Sequence, residues 1–201
     1  MNRSDIAVFL DRDGTVNVEK DFLSSPDQLQ LIPRTADAIR ALNVLGTRVF
    51  IITNQSGVAR GYFSEAVVRQ IHDALRSMLQ KEGATVDDFF YCPHLPGVDN
   101  AQYNKDCDCR KPKAGMLHQA EQKYPIDLRR SFVIGDRCID VAAGKAVGAG
   151  TVMVSTGYGA NEIHACRNEP DYFALDLHDG VHYVTDRILS QERTTTNSRT
   201  A

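Results

Sequence analysis

The chain has 201 residues, with 23 lysines and arginines against 26 aspartates and glutamates, which gives a formal net charge of −3 at pH 7. This balance argues against a protein that holds nucleic acid or an anionic membrane by bulk charge. No apolar run approaches the roughly 18–20 residues of a membrane span, and the N-terminus lacks the apolar stretch of a signal peptide. We therefore expect a cytoplasmic protein with one domain over residues 1–190 and a polar, disordered tail over 191–201.

Short apolar runs alternate along the chain with amphipathic segments of helical length, which predicts an α/β fold around a central parallel sheet. The runs are mostly apolar throughout, as expected of strands that are buried on both faces. The predicted strands are 7–10, 49–52, 89–91, 132–134, 151–154 and 172–174. The predicted helices are 35–45, 64–81, 114–123, 139–147 and 179–189. Two long stretches, 11–33 and 92–113, follow neither periodicity, and such segments are usually functional or disordered.

Two carboxylates, Asp11 and Asp13, come directly after the first predicted strand, and Gly14 lets the chain turn there. In open parallel sheets, ligands bind at the edge formed by the carboxyl ends of the strands. The like charges of the two carboxylates favour a hard cation such as Mg²⁺ between them. The alternative is an ordinary surface turn, because aspartate and glycine are common turn residues.

Three further polar clusters follow strands or loops at the same predicted edge. They are Thr53-Asn54-Gln55-Ser56-Gly57, Arg110-Lys111-Pro112 and Gly135-Asp136-Arg137. The first offers polar groups to a phosphate, the second offers two cations to an anionic substrate, and the third adds a carboxylate. Taken singly, each is also explained as a strand exit, a solvated basic pair or a helix cap. Their convergence on one edge predicts a site for a phosphate and a metal.

Three cysteines and one histidine crowd into the second irregular stretch. They are Cys92, His94, Cys107 and Cys109, two close pairs separated by twelve residues. Three thiolates and one imidazole form the closed tetrahedral set of a structural Zn²⁺ site. The competing interpretation is a disulfide with an idle histidine, which a cytoplasmic setting disfavours. The loop has few large apolar residues, so metal binding would have to supply its folding energy. The remaining cysteines, Cys138 and Cys166, stand apart and are expected to be buried thiols.

In this order the motifs resemble the haloacid dehalogenase superfamily of phosphohydrolases, with the D-x-D-G-T element as the most specific part. The resemblance implies a Rossmann-like three-layer fold. It also implies that Asp11 is the nucleophile, which forms an aspartyl-phosphate, and that Asp13 is first the general acid and then the base. Thr53 and Lys111 would hold the transferring phosphoryl group. Asp136 would complete a Mg²⁺ site with Asp11 and the backbone carbonyl of Asp13.

Only about 40 residues separate Asp11 from Thr53, so a cap of domain size does not fit between them. We expect a capless enzyme with a zinc loop, over about residues 92–110, as one wall of an open site. The strings F-L-D-R-D-G-T-V-N, T-N-Q-S-G-V-A-R-G, Y-C-P-H and C-D-C-R-K-P resemble capless phosphatases of the histidinol-phosphatase-like subgroup. That resemblance implies that Arg110 recognises substrate, and that the sugar pocket is lined by Glu19, Lys20, Asp21 and Phe22.

The resemblance leaves two small-molecule substrates open. One is a sugar bisphosphate used in precursor synthesis for lipopolysaccharide or another surface glycan, and the other is histidinol phosphate of histidine synthesis. Arg110 favours the bisphosphate, because a cation suits a second anionic group. A third hypothesis is a zinc-stabilised binding module without catalysis, against which the complete set of acidic and basic motif residues argues. The open site favours a monomer.

Overall fold

The predicted strands form a six-stranded parallel sheet with the strand order β3-β2-β1-β4-β5-β6. This computed structural model describes residues 3–197. The strands are β1 (Ala7–Leu10), β2 (Arg48–Asn54), β3 (Asp88–Cys92), β4 (Phe132–Gly135), β5 (Gly150–Val154) and β6 (Tyr172–Ala174). Each strand lies within two residues of its predicted bounds, and the α/β fold class is confirmed.

Helices cover both faces of the sheet. They are α1 (Thr35–Leu45), α2 (Ser56–Ala59), α3 (Glu65–Lys81), α4 (Gly115–Lys123), α5 (Cys138–Ala146), α6 (Gly159–Glu162) and α7 (Leu177–Asn197). Helix α1 has its predicted bounds, because Gly46 adopts a left-handed conformation with φ of 87° that ends the helix. The one-turn helices α2 and α6 were not predicted. Among residues 3–197, none of the helices has both the length and the apolar character needed to cross a bilayer.

Strand β1 lies between β2 and β4, and this arrangement positions the polar clusters. Leu10 is in register with Ile51 on one side and with Ile134 on the other. The backbone N–H of Asp11 then donates to the carbonyl of Ile134 at 2.9 Å. The residues that follow these three strands therefore emerge side by side at one edge of the sheet.

Alternate residues of β1 enter two different apolar layers. Val8 and Leu10 are buried in the layer formed with α1, α3 and α7. Phe9 enters the layer formed with α4 and α5, where its ring centroid lies 5.4 Å from that of Phe50. Each fully buried side chain of this size stabilises the fold by about 1.5–3 kcal/mol. Burial on both faces explains why the strands are apolar at every position.

The first irregular stretch folds back over the sheet edge without forming a separate domain. Isolated bridges join Asp13 to Asn17 and Asn17 to Leu31, and a 3-10 turn covers Pro26–Gln28. Between β2 and β3 the chain forms only α2 and α3. Within the described range 3–197, nothing of domain size is therefore inserted over the sheet edge.

The last helix is longer than predicted. Helix α7 continues through residues 191–197, where a disordered tail was expected, and residues 198–201 of that predicted tail lie outside the described residues. The guanidinium of Arg3 donates to both carboxylate oxygens of Glu192, at 2.8 Å and 2.7 Å. This two-point ion pair joins the chain's first turn to the final helix. The polar composition of residues 191–197 does not by itself indicate such a distant contact.

The expectation that Cys138 and Cys166 are separate thiols is wrong, because they form a disulfide. Cys138 is the first residue of α5, and Cys166 follows the short helical segment after β5. The two residues are 28 positions apart in the sequence, yet their Cα atoms lie 5.2 Å apart. The pairing results from the return of the chain after α6 towards the start of α5, and no spacing pattern in the sequence indicates it.

Candidate active site

A cavity of about 220 Å³ opens at the predicted edge of the sheet. Most of the residues that the sequence analysis singled out line it. They are Asp11, Asp13, Glu19, Asp21, Phe22, Thr53, Asn54, Gln55, Ser56, Arg110, Lys111 and Arg137. Two others do not line it: Lys20 is exposed, and Asp136 is fully buried next to Asp11. The four polar clusters therefore converge on one place.

The floor of the cavity is a buried ionic cluster centred on Lys111. Its Nζ lies 2.6 Å from Oδ1 of Asp11 and 2.6 Å from Oδ1 of Asp140, and it donates to the carbonyl of Ile52 at 3.0 Å. Burial alone would lower the pKa of Lys111, but the two carboxylates raise it above its usual value. The lysine is therefore a fixed positive charge at the carboxyl edge of the sheet.

Three carboxylates share this one lysine. Ligand oxygens of Asp11, Asp136 and Asp140 all lie within 4.8 Å of one another. Burial raises the pKa of Asp11 to about 7, against the opposing effect of Lys111. Burial and the negative charges of Asp11 and Asp140 raise the pKa of Asp136 to about 9. The single positive charge of Lys111 therefore does not balance the negative charge that the three carboxylates would carry if all were ionised.

The donor chemistry of this cluster fits a hard divalent cation. Oδ1 of Asp136 is buried and finds no hydrogen-bond partner among the described residues. Its other oxygen, Oδ2, accepts the backbone N–H of Tyr158 at 2.8 Å. A small cation such as Mg²⁺ binds carboxylate oxygens together with waters, and it would neutralise the excess charge. Asp11, Asp136 and Asp140 are close enough together to offer it oxygens, and Asp136 is the one of the three that Lys111 does not contact.

The carboxylate of Asp13 is held apart from this cluster by a separate set of donors. Arg12, which is fully buried, donates to both oxygens at 2.7–3.1 Å, and the side-chain amides of Asn17 and Gln55 each donate at 3.0 Å. Burial would raise the pKa of Asp13, but Arg12 and the amide donors bring it below its usual value. Gln55 also donates to the hydroxyl of Thr53 at 2.8 Å, so the two motifs are in direct contact.

A side-chain amide fixes the basic pair to the end of β2. Asn54 donates from Nδ2 to the carbonyl of Lys111 at 3.0 Å, and its Oδ1 accepts the N–H of Lys111 at 3.1 Å. Both polar atoms of Asn54 are thus used to hold the loop backbone. This contact explains how a residue at the end of an irregular loop brings its ammonium group reproducibly beneath Asp11.

The cysteine and histidine ligand atoms come together beside this loop. The sulfur atoms of Cys92, Cys107 and Cys109 lie 3.1–3.4 Å apart, and Nδ1 of His94 lies 3.4 Å from the sulfur of Cys109. A tetrahedron of Zn–S bonds has edges of about 3.8 Å, so this arrangement of soft ligands is compatible with zinc. Arg110 donates to the carbonyl of His94 at 3.2 Å, which joins the cluster to the cavity wall.

Three residues of the site escaped the sequence analysis. Arg12 lies between the two motif aspartates, and its complete burial has no signal in the sequence. Asp140 received no role in the sequence analysis, although its Oδ1 lies as close to Nζ of Lys111 as Oδ1 of Asp11 does. Tyr158 lines the cavity from the loop after β5, for which no motif was recognised.

Comparisons with known proteins agree with this geometry. A family model described as HAD-hydrolase-like matches residues 108–180. The D-glycero-beta-D-manno-heptose-1,7-bisphosphate 7-phosphatase of Rhodopseudomonas palustris is 48% identical over 143 residues, which cover 71% of this chain and 79% of the relative. The D-glycero-alpha-D-manno-heptose-1,7-bisphosphate 7-phosphatase of Photorhabdus laumondii is 38% identical over 155 residues, which cover 77% of this chain and 85% of the relative.

A solved structure extends the similarity to nearly the whole chain. The D,D-heptose 1,7-bisphosphate phosphatase from B. bronchiseptica, complexed with magnesium and phosphate, superposes with a TM-score of 0.80 at 34% identity. The match covers 90% of this chain and 99% of that chain. Since the sheet, the buried ionic cluster and these identities all agree, the chain belongs to the D-glycero-D-manno-heptose-1,7-bisphosphate 7-phosphatase family of haloacid dehalogenase-like hydrolases.

Proposed function

We propose that this chain removes the C7 phosphate of D-glycero-D-manno-heptose 1,7-bisphosphate through an aspartyl-phosphate on Asp11. The observation that carries the proposal is the ion pair of 2.6 Å between Asp11 and Lys111 on the floor of the cavity. A carboxylate can attack phosphorus without losing a proton, provided that nearby positive charge offsets its repulsion from the anionic phosphate. Lys111 supplies part of that charge.

The chemistry then divides between the two motif aspartates. Asp11 attacks the C7 phosphorus, and Asp13 gives a proton to the leaving sugar oxygen. Asp13 next takes a proton from the water that hydrolyses the acyl-phosphate. The low pKa of Asp13 keeps its carboxylate ionised and so able to accept a proton, and the negative charge of a bound phosphate raises its proton affinity for the acid role. Thr53 donates a hydrogen bond to the phosphoryl oxygens.

Two metals belong to this proposal. Asp11, Asp136 and the backbone carbonyl of Asp13 would hold Mg²⁺, which neutralises charge on the carboxylates and the phosphoryl group. Cys92, His94, Cys107 and Cys109 would hold a structural Zn²⁺, because four protein ligands leave no open coordination position.

The substrate is distinguished from histidinol phosphate by its second anionic group. Arg110 lies on the cavity wall next to Lys111 and offers a second cation there. Glu19, Asp21 and Phe22 line the same cavity as Arg110, and the segment 19–22 would contact the sugar together with Arg137. Ser56, Asn54 and Gln55 complete the phosphate-facing wall. We further propose a single cytoplasmic phosphatase domain that acts as a monomer; it was predicted over residues 1–190, and helix α7 extends it beyond that limit.

The test is phosphate release with Mg²⁺ on a panel of both anomers of heptose 1,7-bisphosphate, fructose 1,6-bisphosphate, histidinol phosphate and 4-nitrophenyl phosphate. We expect one heptose anomer to have the highest kcat/KM, and Asp11→Asn to abolish turnover while the circular dichroism spectrum stays unchanged. Preference for histidinol phosphate would overturn the substrate assignment and the role of Arg110. Absence of turnover in the wild-type protein would favour a binding module.

A further inference from the structure

Tyr158 contacts three parts of the cavity at once. Its backbone N–H donates to Oδ2 of Asp136 at 2.8 Å, and its hydroxyl donates to Oδ1 of Asp21 at 3.0 Å. Its ring lies under the guanidinium of Arg137, with 5.0 Å between Cζ and the ring centroid. One residue thus links the acidic floor of the site to two groups at its rim.

The backbone that carries Tyr158 is clamped against the loop after β1. The hydroxyl of Thr156 donates to the carbonyl of Gly14 at 2.6 Å. Gly157 has a φ of 59°, and a Cβ there would lie 2.1 Å from Oδ2 of Asp136 and 2.7 Å from Cα of Gly14. Only glycine fits such a close approach. These contacts fix the backbone position of Tyr158 relative to the loop after β1. The fold therefore determines where the side chain of Tyr158 enters the cavity.

The partner of that hydroxyl sits in an unfavourable backbone conformation. Asp21 has a φ of 54°, and the N–H of Phe22 donates to the carbonyl of Lys20 at 2.6 Å across it. Three-residue turns with a positive φ are rare and strained. The exposed side chain of Asp21 gains a tyrosine donor that offsets part of this strain. The same hydrogen bond raises the pKa of the Tyr158 hydroxyl, which stays protonated as a donor.

We propose that Tyr158 is a positioning residue for substrate specificity, which holds the Asp21 turn where the segment 19–22 meets the hydroxylated sugar portion of the substrate. The inference rests on the proposed function, because it assigns the segment 19–22 to the sugar. Tyr158 acts through Asp21 and does not take part in phosphoryl transfer. Its hydroxyl therefore affects the binding of the sugar bisphosphate and leaves the chemical step unchanged.

The decisive variant is Tyr158→Phe, which removes the hydroxyl and keeps the ring beneath Arg137. The loss of this partly exposed hydrogen bond to a carboxylate should raise KM for the heptose bisphosphate about three- to fivefold and leave kcat unchanged. Both constants for 4-nitrophenyl phosphate, which has no sugar, should stay at the wild-type values. The matched control is Tyr124→Phe, since the hydroxyl of Tyr124 donates to Asp88 at the same 3.0 Å but away from the cavity.

A double-mutant cycle separates positioning from direct contact. If Tyr158 acts through Asp21, the variant Asp21→Ala and the double variant should have the same KM for the heptose bisphosphate. Additive effects, an unchanged KM in Tyr158→Phe, or equal losses on both substrates would each overturn the inference. A wild-type enzyme that hydrolyses 4-nitrophenyl phosphate but no sugar bisphosphate would overturn the proposed function together with the inference. A wild-type preference for the sugar with no effect of Tyr158→Phe would overturn the inference alone.

Discussion

Replacing Asp136 with asparagine tests whether the buried acidic cluster is built around a cation. Burial and the charges of Asp11 and Asp140 raise the pKa of Asp136 from 3.8 to about 9, so the folded state binds this proton more tightly than the unfolded chain does. The stability of the metal-free protein therefore falls as the pH rises from about 4 to about 9. At about 1.4 kcal/mol per pH unit, the cost at pH 7.5 is up to about 5 kcal/mol.

Asparagine keeps an oxygen for the N–H of Tyr158 and cannot ionise in either the folded or the unfolded state. The new amide N–H groups of asparagine are buried and need acceptors, which offsets part of the gain. We therefore expect metal-free Asp136→Asn to be about 2–4 kcal/mol more stable than the wild type. This corresponds to a melting temperature that is roughly 5–15 °C higher for a chain of this length. The addition of Mg²⁺ should then raise the melting temperature of the wild type and leave that of the variant unchanged.

The assay is thermal unfolding at pH 7.5 after dialysis, with and without MgCl₂. No chelator is used, because it would also attack the cysteine and histidine cluster. The control is Asp27→Asn, which changes an exposed carboxylate and should match the wild type in both conditions. A metal-free Asp136→Asn protein that melts below the wild type, or an equal Mg²⁺ effect on both, would refute the reasoning.

Three further predictions follow from the clusters. Cys107→Ala or Cys109→Ala should disorder the loop and displace Lys111, and should lower both the melting temperature and turnover; unchanged values for both would contradict this. Cys138→Ser with Cys166→Ser should cost about 3.6 kcal/mol in urea unfolding, as expected for a closed loop of this length, and a thiol reductant should reproduce the loss in the wild type only. Lys111→Met should destabilise the fold by about 3–5 kcal/mol, because it leaves buried carboxylates unpaired, and an unchanged urea midpoint would contradict this.

The strands of the sheet could be predicted because each one is marked by its own short run of apolar residues. Each strand is buried on both faces, so the apolar runs are continuous and unmistakable, as in the run from Val49 to Ile52. Parallel strands then place their carboxyl ends at one edge, and the polar residues that follow them must converge. The convergence of Asp11, Thr53 and Asp136 needed no knowledge of packing, only the order of elements along the chain.

The features that escaped prediction all depend on contacts between distant segments. Asp140 sits where a helix-start acid is expected, and only the return of the loop carrying Lys111 reveals its other contact. Cys138 and Cys166 meet because the chain reverses after α6. The polar end of α7 is fixed by a pair between Arg3 and Glu192, which are 189 residues apart. Periodicity and spacing carry no information about such pairs.

The burial of Arg12 also could not be predicted from the sequence, although this residue lies within a recognised motif. An arginine between two aspartates suggests a solvated side chain, yet it is fully buried against Asp13. A buried guanidinium requires a carboxylate partner, so it holds the general acid and base in one orientation. It also affects a neighbouring group that the sequence analysis left without a role, His72, which is only 5% exposed.

The burial of His72 without a charge partner leads to a prediction about the pH dependence of stability. Its ring stacks on Phe89 with centroids 4.7 Å apart, and its Nε2 finds no partner among the described residues. Burial and the nearby guanidinium groups of Arg12 and Arg76 lower the pKa of His72 to about 3, against the opposing charge of Asp13. The histidine is therefore neutral in the folded protein at neutral pH.

The sign of the pH effect follows from this depressed pKa. The unfolded chain takes up a proton on His72 below about pH 6.5 and the folded protein does not, so stability is intact above that pH and falls as the pH is lowered towards 3. At pH 5.0 the loss is about 2 kcal/mol. His72→Phe keeps an aromatic ring against Phe89 and cannot be protonated. Urea unfolding at pH 7.5 and 5.0 should therefore show a smaller acid-induced loss in this variant by that amount. The control is His118→Phe, which removes an exposed histidine on α4 and should lose as much stability as the wild type. Equal losses in all three proteins would mean that His72 is protonated within the fold, and would refute the reasoning from its burial beside Arg12.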